Sequence, residues 1–394
     1  MESTESTNRS ESTPSTIKIE AKELTYKRIV VKVGTTLLTG GEENLTLDIM
    51  ASLVNQVASL HEAGVEVILV SSGAVAAGQQ VLKGHIDRKD IPYRQVLASI
   101  GQGRLVHIYE QLFSKFNIPV AQSLLSRRDI ANRLGYLNIR NTLQALLEFQ
   151  VVPIVNENDV VAVEELALEA FGDNDNLSAL VANLIDADLL AILGEVNGLY
   201  TADPKRDKNA KLIPIVRNID KEIENLAGNA WLQGRGGMAT KIEAAKLATA
   251  SGVQVAIANG RESEIIIRLA KGERIGTSFE AVSTKIESKK RWMLSRLSNS
   301  KEVGLIIDKG AVDALGQEKR SLLGKGIIEV KGSFTRGTVI LILNDNGLRV
   351  ACGICNYDSK DIDSIKGQHS NKIENLLGYK YGDEIIHKNN MMLL

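Results

Sequence analysis

Six short apolar runs rich in β-branched residues recur through the first two thirds of the chain: Arg28–Val33, Val65–Val70, Ile118–Leu124, Val151–Val155, Leu189–Leu193 and Val253–Ala258. A strand with one face in water alternates apolar and polar residues, whereas these runs are nearly continuous, so both of their faces must be covered. The stretches between them carry helical period. After the first run, Ile49, Leu53, Val57 and Leu60 fall on one helical face, Thr46 stands where an N-cap belongs, and Gly64 where the helix closes. Strands alternating with helices predict an α/β fold, a mostly parallel sheet sandwiched between helices.

The alternation stops at Thr277–Arg296, where a charged connector appears, and the texture beyond about residue 300 is different. Short strand-like pieces (Val303–Ile307, Ile327–Val330, Val339–Leu343, Leu348–Ala351) are separated by Gly, Asn and Asp turns, as in a small β-rich domain. The Ser/Thr/Glu tract at the other end has almost no apolar residues and cannot offset its ordering entropy. The expected organisation is a disordered tail over 1–24, an α/β domain over 25–280, a connector over 281–299 and a β-rich domain over 300–394.

At 394 residues the chain is long enough for these two cores, and a formal net charge of -1 draws it toward neither nucleic acid nor anionic membrane. The absence of an apolar run of about 18 residues and of an N-terminal apolar segment argues against a membrane span or a signal peptide. Two cysteines cannot build a disulfide framework, which fits a cytoplasmic protein. Cys352 and Cys355 form a CxxC within an apolar segment read as a strand; positions three apart on a strand face opposite ways, a poor chelate. They are expected to be small buried hydrophobes.

In a parallel α/β sheet, ligands sit beyond the carboxyl ends of the strands, where helix N-termini present free N–H groups. Three Gly-containing loops fall there: Lys32-Val-Gly-Thr-Thr36, Ser71-Ser-Gly-Ala-Val-Ala-Ala-Gly78 and Gly234-Arg-Gly-Gly-Met-Ala-Thr-Lys241. Glycine lets a backbone approach phosphate oxygens, and lysine adds a point charge. Taken singly, Gly34 could be a strand-ending turn and Ser71 and Ser72 helix caps. Lys32 is harder to explain so, because a lysine at the end of a buried strand is costly unless an anion receives it. No GxxxxGK[ST] is present, which excludes a P-loop enzyme. Gly234-x-Gly236-x-x-Ala239 imitates a dinucleotide fingerprint, but the residues before it, Asn218–Leu226, read as helix where that fingerprint needs a strand.

Two polar clusters, Asn156-Glu-Asn-Asp159 and Gly172-Asp-Asn-Asp-Asn176, follow in the same region. Either alone could be turn chemistry, but together they supply carboxylates for an ammonium, for lysines or for Mg2+, and amides for a carboxylate. The loops and clusters, with Gly198-Leu-Tyr-Thr-Ala-Asp-Pro204 and Gly236-Gly-Met-Ala-Thr-Lys241, resemble the amino-acid kinase family in order and from about residue 28 onward. Lys325-Gly-Ile, Phe334-Thr-Arg-Gly and Gly378-Tyr-Lys-Tyr-Gly382 resemble a PUA domain.

The resemblance implies transfer of the γ-phosphoryl group of ATP, with Mg2+, to the side-chain carboxylate of L-glutamate, the first step toward proline. It further implies a homo-oligomer with proline as feedback inhibitor, and no membrane or nucleic-acid partner. By the same likeness, Lys32 and Lys241 stabilise the phosphoryl group and Asp175 orients them. Ser72, Asp159, Asn174 and Asn156 hold glutamate, and Lys32, Gly34, Gly194, Glu195, Gly236, Gly237, Met238, Ala239, Thr240 and Lys241 line the ATP site. Gly194-Glu195 departs from the family, which commonly has Thr-Asp after that strand. Two other readings stand beside this one: a related kinase acting on aspartate or N-acetylglutamate, and an RNA-binding or regulatory protein working through the C-terminal domain.

Overall fold

The computed structural model describes residues 16–42, 44–82, 90–161, 174–204, 206–230, 237–287, 293–294, 297 and 303–394. They fall into two compact units, one within residues 1–127 and 142–282, the other within 128–141 and 283–394.

The first unit is built on an eight-stranded sheet. In chain order its strands are β1 (Arg28–Val33), β2 (Glu66–Ser71), β3 (Val120–Leu125), β4 (Val152–Glu157), β5 (Leu189–Gly194), β6 (Ile215–Val216), β7 (Gln254–Asn259) and β8 (Thr277–Phe279). They lie in the order β3-β4-β2-β1-β5-β7-β8-β6, all parallel to their neighbours except β8 against β7. β1 sits near the middle, with Val31 opposite Leu69 on one side and Ala191 on the other. Because β1, β2, β4, β5 and β7 run the same way, Gly34, Ser72, Asn158, Gly194 and Gly260 gather along one edge of the sheet.

The helices are α1 (Thr35–Thr39), α2 (Leu47–Glu62), α3 (Ala74–Val81), α4 (Ile91–Ser114), α5 (Arg127–Ala131), α6 (Arg133–Glu148), α7 (Asn174–Leu184), α8 (Lys221–Ala230), α9 (Met238–Ala250) and α10 (Ile265–Ala270). Ile29, Val31 and Val33, on one face of β1, join the core formed with Leu53 and Val57 of α2 and Ile266 of α10. The other face carries Val30 and Lys32, and α7 packs there. Thr46 does precede α2, but its side chain caps nothing; Gly64, at φ +84°, closes the helix as expected.

Three expectations need correction. Residues 16–24 are not tail: Ile17, Ile19 and Leu24 pack against the core, the Ile17 N–H donates to Ser59 Oγ at 2.9 Å, and Glu23 pairs with Lys271 at 2.7 Å. Alternate isoleucines give this segment the apolar face that residues 1–15, outside the described residues, lack. The helix expected over Asn218–Leu226 begins only at Lys221, after the short strand β6. Gly78 belongs to no phosphate loop. It lies inside α3, where a Cβ would stand 2.0 Å from the Leu97 carbonyl oxygen of α4, and a Cβ on Gly101 would stand 1.8 Å from that of Ala74. The two helices touch backbone to backbone because both contact residues lack side chains. Beneath them, Tyr109 of α4 shares a 2.9 Å hydrogen bond with Ser71 Oγ, and burial pushes the phenol pKa up to about 12.

The second unit has a five-stranded sheet, β11-β9-β12-β13-β15, and a two-stranded one, β10-β14. Their spans are β9 (Gly304–Ile307), β10 (Leu322–Leu323), β11 (Ile327–Lys331), β12 (Val339–Leu343), β13 (Arg349–Ile354), β14 (Glu384–Ile386) and β15 (Met391–Leu393), with short helices α11 (Lys309–Gly316), α12 (Ser359–Ile365) and α13 (Ile373–Leu377). Both cysteines are free and buried, in different clusters: Cys352 beside Val339 and Met293, Cys355 beside Tyr357 and Ile340. Burial raises the Cys355 thiol pKa, which suppresses its reactivity. The unit also takes in residues 128–141. Leu137 is buried in the Cys352 cluster, and the buried Arg140 donates to Asn390 Oδ1 at 2.6 Å and to the Asn389 carbonyl at 2.7 Å.

The α3–α4 contact gives the first test. Gly101→Ala should lower the unfolding free energy by about 1–3 kcal/mol, since the added methyl meets backbone that cannot step aside. The urea midpoint measures it, and an unchanged midpoint would show that the helices separate freely.

Candidate active site

The carboxyl end of β1 carries Lys32, of which only 1% is exposed. A lysine so buried must meet negative charge, and it does: Lys32 Nζ lies 2.7 Å from Oδ1 of Asp175, which is fully buried at the start of α7. The other oxygen, Oδ2, receives Lys241 Nζ at 3.1 Å and the Thr240 hydroxyl at 2.8 Å, both from the first turns of α9. Two ammonium groups share one carboxylate, so the formal charge of the cluster is two plus less one minus, or +1. Excess buried charge of this kind is stabilised by an anion.

The backbone around the lysines is bare. A Cβ on Gly34 would stand 3.5 Å from Lys32 Nζ, and one on Gly194 would stand 3.7 Å from Lys241 Cε. β1 and β5 are neighbours, so no side chain from Gly34 stands beside the Lys32 ammonium and none from Gly194 beside the Lys241 methylene chain. Gly237, Met238, Ala239 and Thr240 form the start of α9, whose first N–H groups have no partners within the helix and favour negative charge. Gly236 lies outside the described residues, as do Gly172 and Asp173 of the second polar cluster. Glu195 turns to Arg261, whose Nη2 donates to Oε1 at 2.7 Å; sequence reasoning missed Arg261, which sits on the loop after β7 with no local signal.

The amides form a second constellation. The Asn174 Nδ2 group spends both its protons, on Ser72 Oγ at 2.9 Å and on Asn156 Oδ1 at 2.8 Å. Asn156 Nδ2 in turn donates to Gln102 Oε1 at 2.8 Å. Three of the four residues expected to hold glutamate are therefore brought together, Ser72 just after β2, Asn156 on β4 and Asn174 on α7, with Gln102 of α4 as an unforeseen partner. Asp175, next to Asn174, joins this chain to the lysine cluster. Asp159 is partly exposed in the turn after β4, where its carbonyl accepts from Gln95 Nε2 at 3.2 Å. Among the described residues, no three His, Cys, Asp or Glu side chains gather as metal ligands, and no helix is long and apolar enough to cross a membrane.

A cationic, glycine-walled cluster at the carboxyl edge of a parallel sheet, beside a set of amides, is the equipment of a phosphoryl-transfer enzyme with a small polar acceptor. The chain belongs to the amino acid kinase family, which it matches over residues 27–259, and it carries a PUA domain over residues 304–377. Among individual proteins it is similar to the glutamate 5-kinase of Dehalococcoides mccartyi, with 50% identity over 370 residues, 94% of this chain and 99% of that one. The glutamate 5-kinase of Herpetosiphon aurantiacus is 48% identical over 368 residues, 93% of this chain and 98% of that one. That of Caldanaerobacter subterraneus is 45% identical over 369 residues, with the same two shares, 93% and 98%.

Replacing Asp175 by Ala should lower the unfolding free energy by about 3–5 kcal/mol, because it removes the buried carboxylate that both ammonium groups contact. Lys241→Met added to that variant should restore part of the loss. Urea unfolding of the two single variants and the double variant measures the coupling; additive effects would show that the carboxylate does not bind Lys241.

Proposed function

We propose that this chain transfers the γ-phosphoryl group of Mg-ATP to the side-chain carboxylate of L-glutamate, giving glutamyl 5-phosphate and ADP. The observation that carries the reading is the cluster of Lys32, Asp175 and Lys241, whose carboxylate residue is adjacent in sequence to Asn174 of the amide set. The names of the relatives supply the acceptor.

The chemistry suits these residues. A glutamate carboxylate is already ionised at neutral pH, so its oxygen attacks the γ-phosphorus without a general base. The new P–O bond forms as the bond to the β–γ bridging oxygen breaks, and ADP leaves with the electron pair. No proton moves, which fits a site without a catalytic histidine. Lys32 and Lys241 stabilise the charge spread over the transferring oxygens, and Asp175 fixes their positions. The start of α9 (Gly237, Met238, Ala239, Thr240) with Gly34, Gly194 and Glu195 lines the nucleotide side. Ser72, Asn156 and Asn174 hold the amino acid, and Asp159 receives its α-ammonium. Mg2+ would neutralise charge on the phosphates of ATP, and Asp175, engaged with both lysines, would position those lysines rather than hold the ion. The product enters proline synthesis in the cytoplasm, proline restrains the enzyme, and the working form is a homo-oligomer.

Trapping the acyl phosphate with hydroxylamine tests the acceptor directly. Glutamate should give hydroxamate, with aspartate and N-acetylglutamate giving far less; a strong signal only from another acceptor would overturn the assignment. Lys241→Ala should lower kcat by about a hundredfold to a thousandfold, as loss of one transition-state charge contact does, while changing the glutamate KM little.

A further inference from the structure

Gln102 has no place in the scheme above, yet it ends the amide chain. Its position follows from the backbone contact of α3 and α4: Gly101 presses onto Ala74, and Gln102, the next residue, reaches the ends of β2 and β4. It is 9% exposed.

The direction of every amide in this chain is fixed by one backbone group. The Glu157 N–H donates to Asn156 Oδ1 at 2.9 Å, and a backbone N–H can only donate. Asn156 must therefore present its oxygen on that side and its Nδ2 on the other, where Gln102 Oε1 receives it. Asn174 must then offer Nδ2, not its oxygen, to Asn156. Two buried atoms are left without partners as the result, Gln102 Nε2 at one end and Asn174 Oδ1 at the other. An orphaned buried polar atom loses its hydration without a replacement hydrogen bond, so a purely structural chain would be expected to avoid both. Reversing the Gln102 amide would leave Asn156 Nδ2 facing a donor.

We propose that Gln102 is a positioning residue for the acceptor substrate: by holding Asn156, and through it Asn174, it sets which donors and acceptors face the amino-acid end of the substrate. The orphaned Asn174 Oδ1 is then an acceptor suited to an ammonium or amide N–H, next to the Asp175 that organises the lysines. Gln102 acts through the two asparagines and is not itself catalytic. The inference rests on the proposed glutamate kinase activity.

The test measures KM for glutamate and for ATP, kcat and Tm in the wild type, Gln102→Met and Gln102→Glu, with acyl phosphate as readout. Gln102→Met keeps the volume and removes the acceptor. It should raise the glutamate KM about tenfold, the equivalent of one hydrogen bond of about 1.4 kcal/mol, and leave the ATP KM within about twofold. Gln102→Glu retains an oxygen for Asn156 and should bring the glutamate KM back to within about threefold of wild type. An unchanged glutamate KM in Gln102→Met would overturn the proposal. So would a parallel change in both KM values and Tm that Gln102→Glu fails to rescue. Should Gln102→Met not fold, Gln102→Glu carries the test, and a glutamate KM raised as much as tenfold there refutes it. A wild type that phosphorylates a different acceptor refutes the functional reading alone, and the KM for that acceptor then takes the place of glutamate in the same comparison.

Discussion

Asp175 binds two ammonium groups that are distant in the sequence, Lys32 on β1 and Lys241 on α9, and most of the site geometry follows from satisfying that triangle. A lysine in the central strand of a buried sheet is tolerable only with its counter-charge in place. The start of α7 therefore has to lie over β1, and the start of α9 has to lie beside it. Once both helices are held there, their free N–H groups and the glycines at the ends of β1 and β5 face the same space. The two ammonium groups thus stand at the carboxyl edge of the sheet, beside the start of α9.

The same turn of α7 serves a second purpose. Asn174 and Asp175 are adjacent, so a helix fixed by its carboxylate also fixes an amide, and that amide gathers Ser72 and Asn156. The amide set and the lysine cluster are thereby joined through a single peptide unit, so that in the proposed reaction the helix α7 that organises the lysines also places the amides. Asp159, partly exposed in the turn after β4, is less buried than these amides.

Six of the eight strands were legible because buried parallel strands leave an unbroken apolar signature, and Lys32 stood out because it breaks one. β6 and β8 were missed, being two and three residues long and too short for a pattern, and β8 lies at the start of the stretch read as the connector. Of the six, the edge strand β3 has the largest error in its start, Val120 rather than Ile118, since an edge strand is half exposed and its pattern is weak. Ile17 and Ile19 were hidden by the polar tract before them. Gly78 was misread because a glycine that permits helix–helix contact looks the same in sequence as one that cradles phosphate. Gln102 and Arg261 left no signal at all: each acts on a residue more than 50 positions away, Asn156 and Glu195 respectively, and only the fold brings them together. The inclusion of residues 128–141 in the second unit was equally invisible, because α6 reads as one helix throughout.

Gly194-Glu195 shows how a departure from a family pattern can be absorbed locally. The family commonly places a hydroxyl and a short carboxylate here; this chain has neither, and the longer Glu195 side chain pairs with Arg261 across the ends of β5 and β7. Pairing removes most of the negative charge that an unpaired carboxylate would direct at an incoming nucleotide. Gly194 meanwhile leaves the Lys241 methylene chain in contact with bare backbone, 3.7 Å from where a Cβ would be. Gly194-Glu195 therefore leaves room beside the Lys241 side chain and places a paired carboxylate at the ends of β5 and β7. Because Lys32, Asp175 and Lys241 lie on other elements and hold one another, that departure leaves the charge cluster on which phosphoryl transfer depends unaltered.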